Sequence, residues 1–465
     1  MIESPKKDIR IPFLIFLTIV CILWTFFIYA GEIQLRRTSS PENLLYREIS
    51  TELKVTDQFL NMLLISKAEN AAIKKKVLED AASGYERATV QFKNTGIYYC
   101  QLGIINAESN DIKKARKNFE AGKKNGEEAL GGLLEDIYLK STDELNKLSA
   151  PELSNADKII REKLTGWFLY SPLETLYTRI NSPEFAELLR QANEFTAKKT
   201  PGFLLLIFLL FGLPAAGFIA IPLYIFVFRK KELLNEEIFP VKWTAIDAWS
   251  VFITWEMMRI ILSLVIPLLG IRELGIYPSF LITFLISFFI LFLIYDVMKK
   301  LGCTVADIGL KSTGFIRKAF YGIFALAACF LPISFSDIIT QYLYKGPHVS
   351  SNPILDVVEK SGGFFNLFLI FLLISVIAPV FEEILFRGFL YSAFRKRLGI
   401  VKANLFVSLV FSLTHHDIAT FLSIFVLGMI LAYTFEKTRS LIPSIILHSL
   451  FNLHTLVIMR LLISS

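Results

Sequence analysis

Nine apolar runs of membrane-crossing length, or close to it, decide what this chain can fold into. They fall at about 13–30, 203–228, 248–269, 280–298, 319–339, 364–386, 403–414, 418–435 and 441–462. A hydrocarbon core about 30 Å thick is spanned by roughly 20 apolar residues of helix. Runs of this kind, repeated along 465 residues that are 54% hydrophobic and carry 42 Phe, place the chain well outside ordinary soluble usage. The expected fold is all-α: a polytopic transmembrane helical bundle of about nine spans. The run 403–414 is too short to cross alone. It is expected to reach inward from the cytoplasmic side and continue into, or break before, the next helix.

Residues 31–200 differ in kind. They hold 25 basic and 25 acidic side chains, and the runs 44–67, 71–91 and 112–137 repeat apolar residues at helical spacing. A soluble α-helical domain between spans one and two is the expectation. The chain thus divides into an N-terminal signal anchor (1–30), the soluble domain (31–200) and a membrane-embedded domain (201–465). Tyr99, Leu102, Gly103, Ala115 and Phe119, with Asn110-Asp111 in the turn, resemble one tetratricopeptide repeat, a helix pair of 34 residues. Ala81 and Tyr85 stand 34 residues before Ala115 and Phe119 as a faint second copy. Asn106 replaces the usual aromatic and no closing proline follows, so a generic helical hairpin is the alternative reading.

Because the soluble segment is neutral, the net charge of +7 lies among the membrane segments. It reads as orientation, under the rule that Lys and Arg gather on the cytoplasmic side, and not as a nucleic-acid footprint. Lys6, Lys7 and Arg10 place the N-terminus in the cytoplasm and residues 31–200 outside. The first run is long and no small-x-small site follows it, which favours an uncleaved anchor over a cleavable signal peptide. Alternation then predicts cytoplasmic loops at 299–317, 387–402 and 436–440, each rich in Lys and Arg. The loop 341–363 faces outward. A multi-pass protein of a bacterial inner membrane is the expected setting. Four scattered cysteines without a CxxC indicate neither a disulfide framework nor a cysteine metal site.

Three polar groupings interrupt the last apolar helices. Glu382, Glu383 and Arg387 form the first; on a helix Glu383 and Arg387 share a face and suit an ion pair, while Glu382 points about a quarter turn away. Phe411-x-x-x-His415, with His416 and Asp417, forms the second. His448-x-x-x-Asn452, with His454 just beyond, forms the third. Ionisable groups at membrane depth are costly and mark function, although any one of these histidines alone reads as a hydrogen-bonded packing residue. Two chemistries suit such a set. Glu382 and His415 can activate water as general base while His448 and Asn452 stabilise an oxyanion. Alternatively Glu382, His415 and His448 can hold a divalent metal such as zinc that activates the water. Spacing does not separate the two, but no His-Glu-x-x-His helix is present, which favours the metal-free version. Ser408, Ser412 and Ser449 lack a nucleophile setting. Glu256 and Arg259, three apart within another span, read as a structural pair, with a transporter path as the competing reading.

Glu-Glu-x-x-x-Arg, Phe-x-x-x-His and His-x-x-x-Asn on successive apolar helices resemble the CAAX protease and bacteriocin-processing enzyme family (CPBP) of intramembrane endopeptidases. The resemblance covers about 240–465 and leaves the anchor and the helical domain outside the family pattern. It implies that Glu382 and His415 activate water and that Glu383 and Arg387 position the third motif. It further implies a peptide or protein substrate in the membrane. The lipid bilayer and, from the repeat-like segment, a protein partner on the helical domain are the further expected partners; from the charge distribution, nucleic acid is not. The alternative is a non-proteolytic membrane scaffold or bacteriocin-immunity factor that binds partners through the helical domain.

Overall fold

The computed structural model describes residues 10–38, most of 73–181, most of 202–229, then 241–270, 276–343 apart from 312, and 363–464. The helical run 44–67, Lys6 and Lys7, Lys230 and Lys231, and most of the outward loop 341–363 with His348 lie outside the described residues. Among those described, every regular element is helical. The chain divides into two compact units, 1–37 with 206–464, and 38–205.

In the first unit, α1 (Arg10–Thr38), α2 (Leu213–Phe228), α3 (Ala245–Leu268), α4 (Ile276–Lys300) and α5 (Phe315–Leu343) are single helices. A composite run follows: α6 (Phe364–Leu372), a π-helical turn (Leu373–Ile377), α7 (Ala378–Glu383), a second π-helical segment (Ile384–Tyr391) and α8 (Ser392–Leu413). α9 (Phe421–Thr438) and α10 (Leu441–Ser464) complete it. Among the described residues, 8 stretches are long and apolar enough to cross a membrane. One of them, Phe364–Leu413, takes in two of the expected runs. Gly399, at φ 74° and ψ 177°, divides it into two helices, in a backbone region open to glycine and costly to other residues. The short run before His415 therefore grows out of the basic 395–402 stretch and breaks at the turn 414–420.

Small residues set how closely these helices approach, as expected where lipid supplies no hydrophobic drive for helix pairing. A Cβ on Gly217 of α2 would overlap Leu331 of α5. One on Gly322 of α5 would overlap the Pro443 carbonyl, and one on Gly428 of α9 would crowd Ser408 of α8. Trp243, Phe252, Trp255, Phe381, Phe386, Phe389 and Phe411 fill the core, and the Trp243 indole N–H donates to the Phe389 carbonyl at 3.0 Å. α1 joins the bundle through a 2.9 Å hydrogen bond from Trp249 Nε1 to Thr18 Oγ1. Its Phe13, Phe16 and Phe26 face outward, where lipid is the compatible solvent.

In the second unit, the helices Gly96–Glu108 and Ile112–Lys124 form the hairpin expected from the spacing. Gly103 lets them meet, because a Cβ there would overlap the Phe119 ring. Asn110 takes the turn at φ 66° and Asp111 caps the second helix by accepting from the Lys114 N–H at 3.1 Å. Asn106, in the usual aromatic position, satisfies its buried amide on the Leu102 carbonyl at 2.9 Å. Ala81 and Tyr85 pack into the same core. The run 112–137 is two helices, not one: Gly126, at φ 100°, turns the chain before Glu128–Leu139 begins. Helices Ala150–Lys163 and Trp167–Arg179 follow, the former entered through a Ser149–Glu152 capping box.

Candidate active site

Glu383 and Arg387 are both fully buried, and Arg387 Nη1 donates to Glu383 Oε1 at 2.8 Å. The same oxygen receives His448 Nδ1 at 2.9 Å. A carboxylate oxygen accepts, so the hydrogen sits on Nδ1 and the ring presents Nε2 on its other side. That Nε2 lies 3.8 Å from Glu382 Oε2. Arg387 Nη2 reaches the Gly428 carbonyl of α9 at 3.3 Å, and its guanidinium lies over the Phe411 ring at 4.4 Å. Glu383 is thus consumed by holding Arg387 and His448, while the Glu382 side chain keeps 19% exposure.

The two π-helical segments on either side of Glu382-Glu383 have a physical consequence. A π turn inserts a residue, shifts the phase of the following helix and frees carbonyls from the regular ladder. Asn452 Nδ2 donates to Ile374 O in the first segment at 2.9 Å. Ser392 Oγ donates to Arg387 O in the second at 3.1 Å. Asn452 therefore commits one amide hydrogen to holding the helix that carries the glutamates and keeps a second.

Phe411 explains its own place in the second motif. Its ring lies 4.8 Å from that of His415 and 5.8 Å from that of His448, edge-on to both. Its carbonyl, near the end of α8, accepts from Thr414 Oγ1 at 2.7 Å and pairs with His415 Nδ1 at 2.8 Å. A carbonyl only accepts, so His415 carries its hydrogen on Nδ1 and leaves Nε2 as an acceptor. His415 is exposed and lies within electrostatic range of Glu382 and His448.

Of the six expected site residues, Glu382, Glu383, Arg387 and His448 form one contact chain. His415 faces it across Phe411, and Asn452 braces it from below. The expected Glu256–Arg259 pair is present at 3.0 Å. Beyond what the sequence revealed, Arg259 Nη2 also donates to the Thr414 carbonyl at 2.8 Å and meets His416 Nδ1 at 3.4 Å. Asp417 closes a local turn on the Ala419 N–H. His454 packs apart from the site, on Phe330 and the Leu209 carbonyl. Ser408 and Ser412 give their hydroxyls to Asn404 and to the Phe421 carbonyl, so neither is held by a base. Among the described residues no three His, Cys, Asp or Glu side chains gather in an arrangement that could hold a metal ion. Glu382, His415 and His448, the ligands expected if a metal is used, are not such a group.

An apolar cavity of about 670 Å³ lies between α1, α3 and α8 and reaches Glu256 and Thr414, on the flank of the His415 turn. Cys21, Phe26, Trp249 and Leu413 are among its walls.

Residues 364–454 match the family model of the type II CAAX prenyl endopeptidase Rce1-like proteins. YdiL of Bacillus subtilis, described as a candidate membrane peptidase, is 25% identical over 135 residues, which are 28% of this chain and 53% of that protein. The UPF0177 protein YbdI of Lactococcus lactis is 30% identical over 127 residues, 26% of this chain and 66% of that protein. The chain thus spans about half to just under two thirds of the length of these curated relatives. No solved structure matches. All three motifs fall inside the matched stretch, so it is the C-terminal part of the membrane unit that is similar to the Rce1-like family.

Proposed function

We propose that the chain is an intramembrane endopeptidase that hydrolyses peptide bonds of membrane-associated substrates. One observation carries the reading: adjacent glutamates have different work. Glu383 is locked to Arg387 and His448, whereas Glu382 stands partly open opposite His415, whose Nε2 is left as an acceptor. In this reading a water lies between Glu382 and His415. Glu382 takes its proton, the oxygen attacks the peptide carbonyl, and Glu382 returns the proton to the leaving amine. The second hydrogen of the Asn452 amide stabilises the oxyanion; His448, aligned by Glu383 through Nδ1, joins it once a hydrogen is also on Nε2. No step in this reading is routed through a metal.

The apolar cavity beside the His415 turn supports a substrate delivered from the bilayer. A lipidated Cys-a-a-X peptide is what the family's description names; the anchor and the helical domain point to additional clients. In this proposal the N-terminus is cytoplasmic, residues 31–200 lie outside a bacterial inner membrane, and the tetratricopeptide-like hairpin recruits or screens proteins. The non-proteolytic scaffold or immunity reading draws on the hairpin and on the bacteriocin association of the family the motifs resemble, while the matched family and the Bacillus relative are described as peptidases.

The test compares peptide termini in membranes carrying the wild-type protein or Glu382→Gln at matched expression. New termini confined to the wild type are expected and would name the substrate. A chelator should leave them unchanged. Identical terminus profiles across growth conditions overturn the reading, and loss of cleavage on chelation, reversed by zinc, overturns the metal-free version.

A further inference from the structure

We infer that Arg259, oriented by Glu256, is a positioning residue that fixes the His415 turn for catalysis. This rests on the hydrolytic reading above and adds a fourth element, α3, to the site. The turn 414–420 is short, non-helical and carries His416 at φ 51°, a left-handed conformation that costs a residue other than glycine roughly 1–3 kcal/mol unless its surroundings hold it. Arg259 holds it from α3, in addition to the local bond from His416 N–H to the Leu413 carbonyl at 3.3 Å. One guanidinium edge gives Nη1 to Glu256 Oε1 at 3.0 Å. Nη2 donates to the Thr414 carbonyl at 2.8 Å and meets His416 Nδ1 at 3.4 Å. The plane rests on Trp255, with Cζ 4.8 Å from the ring centroid.

These contacts bracket His415 on both sides in the chain. The residue before it gives up its carbonyl to Arg259, and the residue after it meets the same nitrogen. His415 itself is tied at Nδ1 to Phe411 O, so its remaining freedom is rotation of the turn as a body, which Arg259 removes. Glu256 is 5% exposed and neutralises the arginine where water is scarce, keeping the fork aimed at the turn. A planar fork with several fixed donors does this and a lysine does not. Misplacing a reacting group by about 1 Å can cost about 100-fold in rate.

The experiment uses the full-length protein in lipid nanodiscs and two readouts. The first is steady-state cleavage of a substrate identified from the terminus comparison. Arg259→Ala should lower kcat by up to about 100-fold with KM changed less than twofold. Free guanidinium at millimolar concentration should restore part of the loss, and it should not restore Glu382→Gln. Arg259→Lys should lie between wild type and Ala. Glu256→Gln, which still accepts a hydrogen bond, should lose less than Arg259→Ala. The second readout needs no proteolysis: the rate of His415 carbethoxylation by diethyl pyrocarbonate, resolved by mass spectrometry. Arg259→Ala should change it at least threefold while leaving His448 unaltered.

An unchanged His415 rate overturns the positioning role, whether or not the protein cleaves anything. A changed rate in a protein without detectable cleavage upholds the turn-fixing geometry and sinks the hydrolytic reading instead. A double variant, Glu256→Gln/Arg259→Met, removes both members of the charge pair together. If it matches wild type in stability and in kcat, the arginine is packing alone.

Discussion

Arg387 bears on how the membrane unit is held together, and its replacement by Met has a calculable cost. Glu383 and Arg387 have no exposed side-chain surface and lie 2.8 Å apart. At an effective dielectric constant of about 20, such charges attract by about 6 kcal/mol. Desolvating each ion costs several kcal/mol, so the pair as a whole contributes little net stability. Breaking it is another matter. Arg387→Met leaves a carboxylate without its cation in a site with no exposed side-chain surface, and removes the bridge to Gly428 and the contact with Phe411. The expected loss is about 3–5 kcal/mol. Glu383→Gln should lose about 3 kcal/mol. It strands the cation but keeps an oxygen for His448, and Arg387 keeps Gly428 and the Phe411 ring.

The double variant decides the matter. Glu383 Oε2 and Arg387 Nε are buried without a hydrogen-bond partner, and each such atom costs about 1–3 kcal/mol. Replacing both residues removes the charges and the arginine's orphaned nitrogen together. Glu383→Gln/Arg387→Met should therefore be more stable than the sum of the single losses by at least about 2 kcal/mol. Unfolding by SDS titration in bicelles, followed by the fluorescence of Trp243, Trp249 and Trp255, measures all four corners of the cycle. Single losses that add within about 0.5 kcal/mol would refute the argument, since uncoupled residues cannot be a buried ion pair. Glu382→Gln serves as the control. It should change unfolding by less than about 1 kcal/mol, because that side chain is partly exposed and engaged at 3.8 Å.

The cysteines test orientation and burial together. Cys303 is partly exposed in the loop between α4 and α5, whereas Cys100 is fully buried. A membrane-impermeant maleimide should label Cys303 in inside-out vesicles and not in intact cells; the reverse pattern overturns the proposed topology. Burial pushes the Cys100 thiol up to about 12, so it stays protonated and unlabelled from pH 7 to 9 in folded protein. Rapid labelling there without unfolding would contradict the helical core. Gly103→Val should destabilise the soluble unit by about 1–3 kcal/mol, read as a lower melting temperature, because Phe119 occupies the space that a side chain needs. An unaltered melting temperature would mean that the hairpin helices are farther apart than described.

What the sequence made legible follows from which forces act locally. Helical spans are set by segment length and apolarity, both written in consecutive residues, so the run boundaries carry over to the structure with little change. The Glu383–Arg387 pair was legible for the same reason, being one helical turn apart. The split of 112–137 was legible in principle: Asn125-Gly126 is a turn signal, outweighed there by the apolar spacing on either side. The π-helical segments were not legible. Nothing in Leu373–Ile377 or Ile384–Tyr391 distinguishes it from ordinary helix, since the inserted turns need donors brought by tertiary packing, such as Asn452 from 78 residues away. Arg259 divides in the same way. Its partner Glu256 lies three residues back and was foreseen, while Thr414 and His416 lie 155 and 157 residues on and were not. A charged residue within an apolar helix must find partners. With one partner in its own helix, a side chain with five donors still has several to give, and that surplus was the sequence-level sign of a second attachment. Unspent donors on arginines within apolar helices point to α3, since the carbonyls best placed to take them are those that a helix break such as 414–420 leaves open.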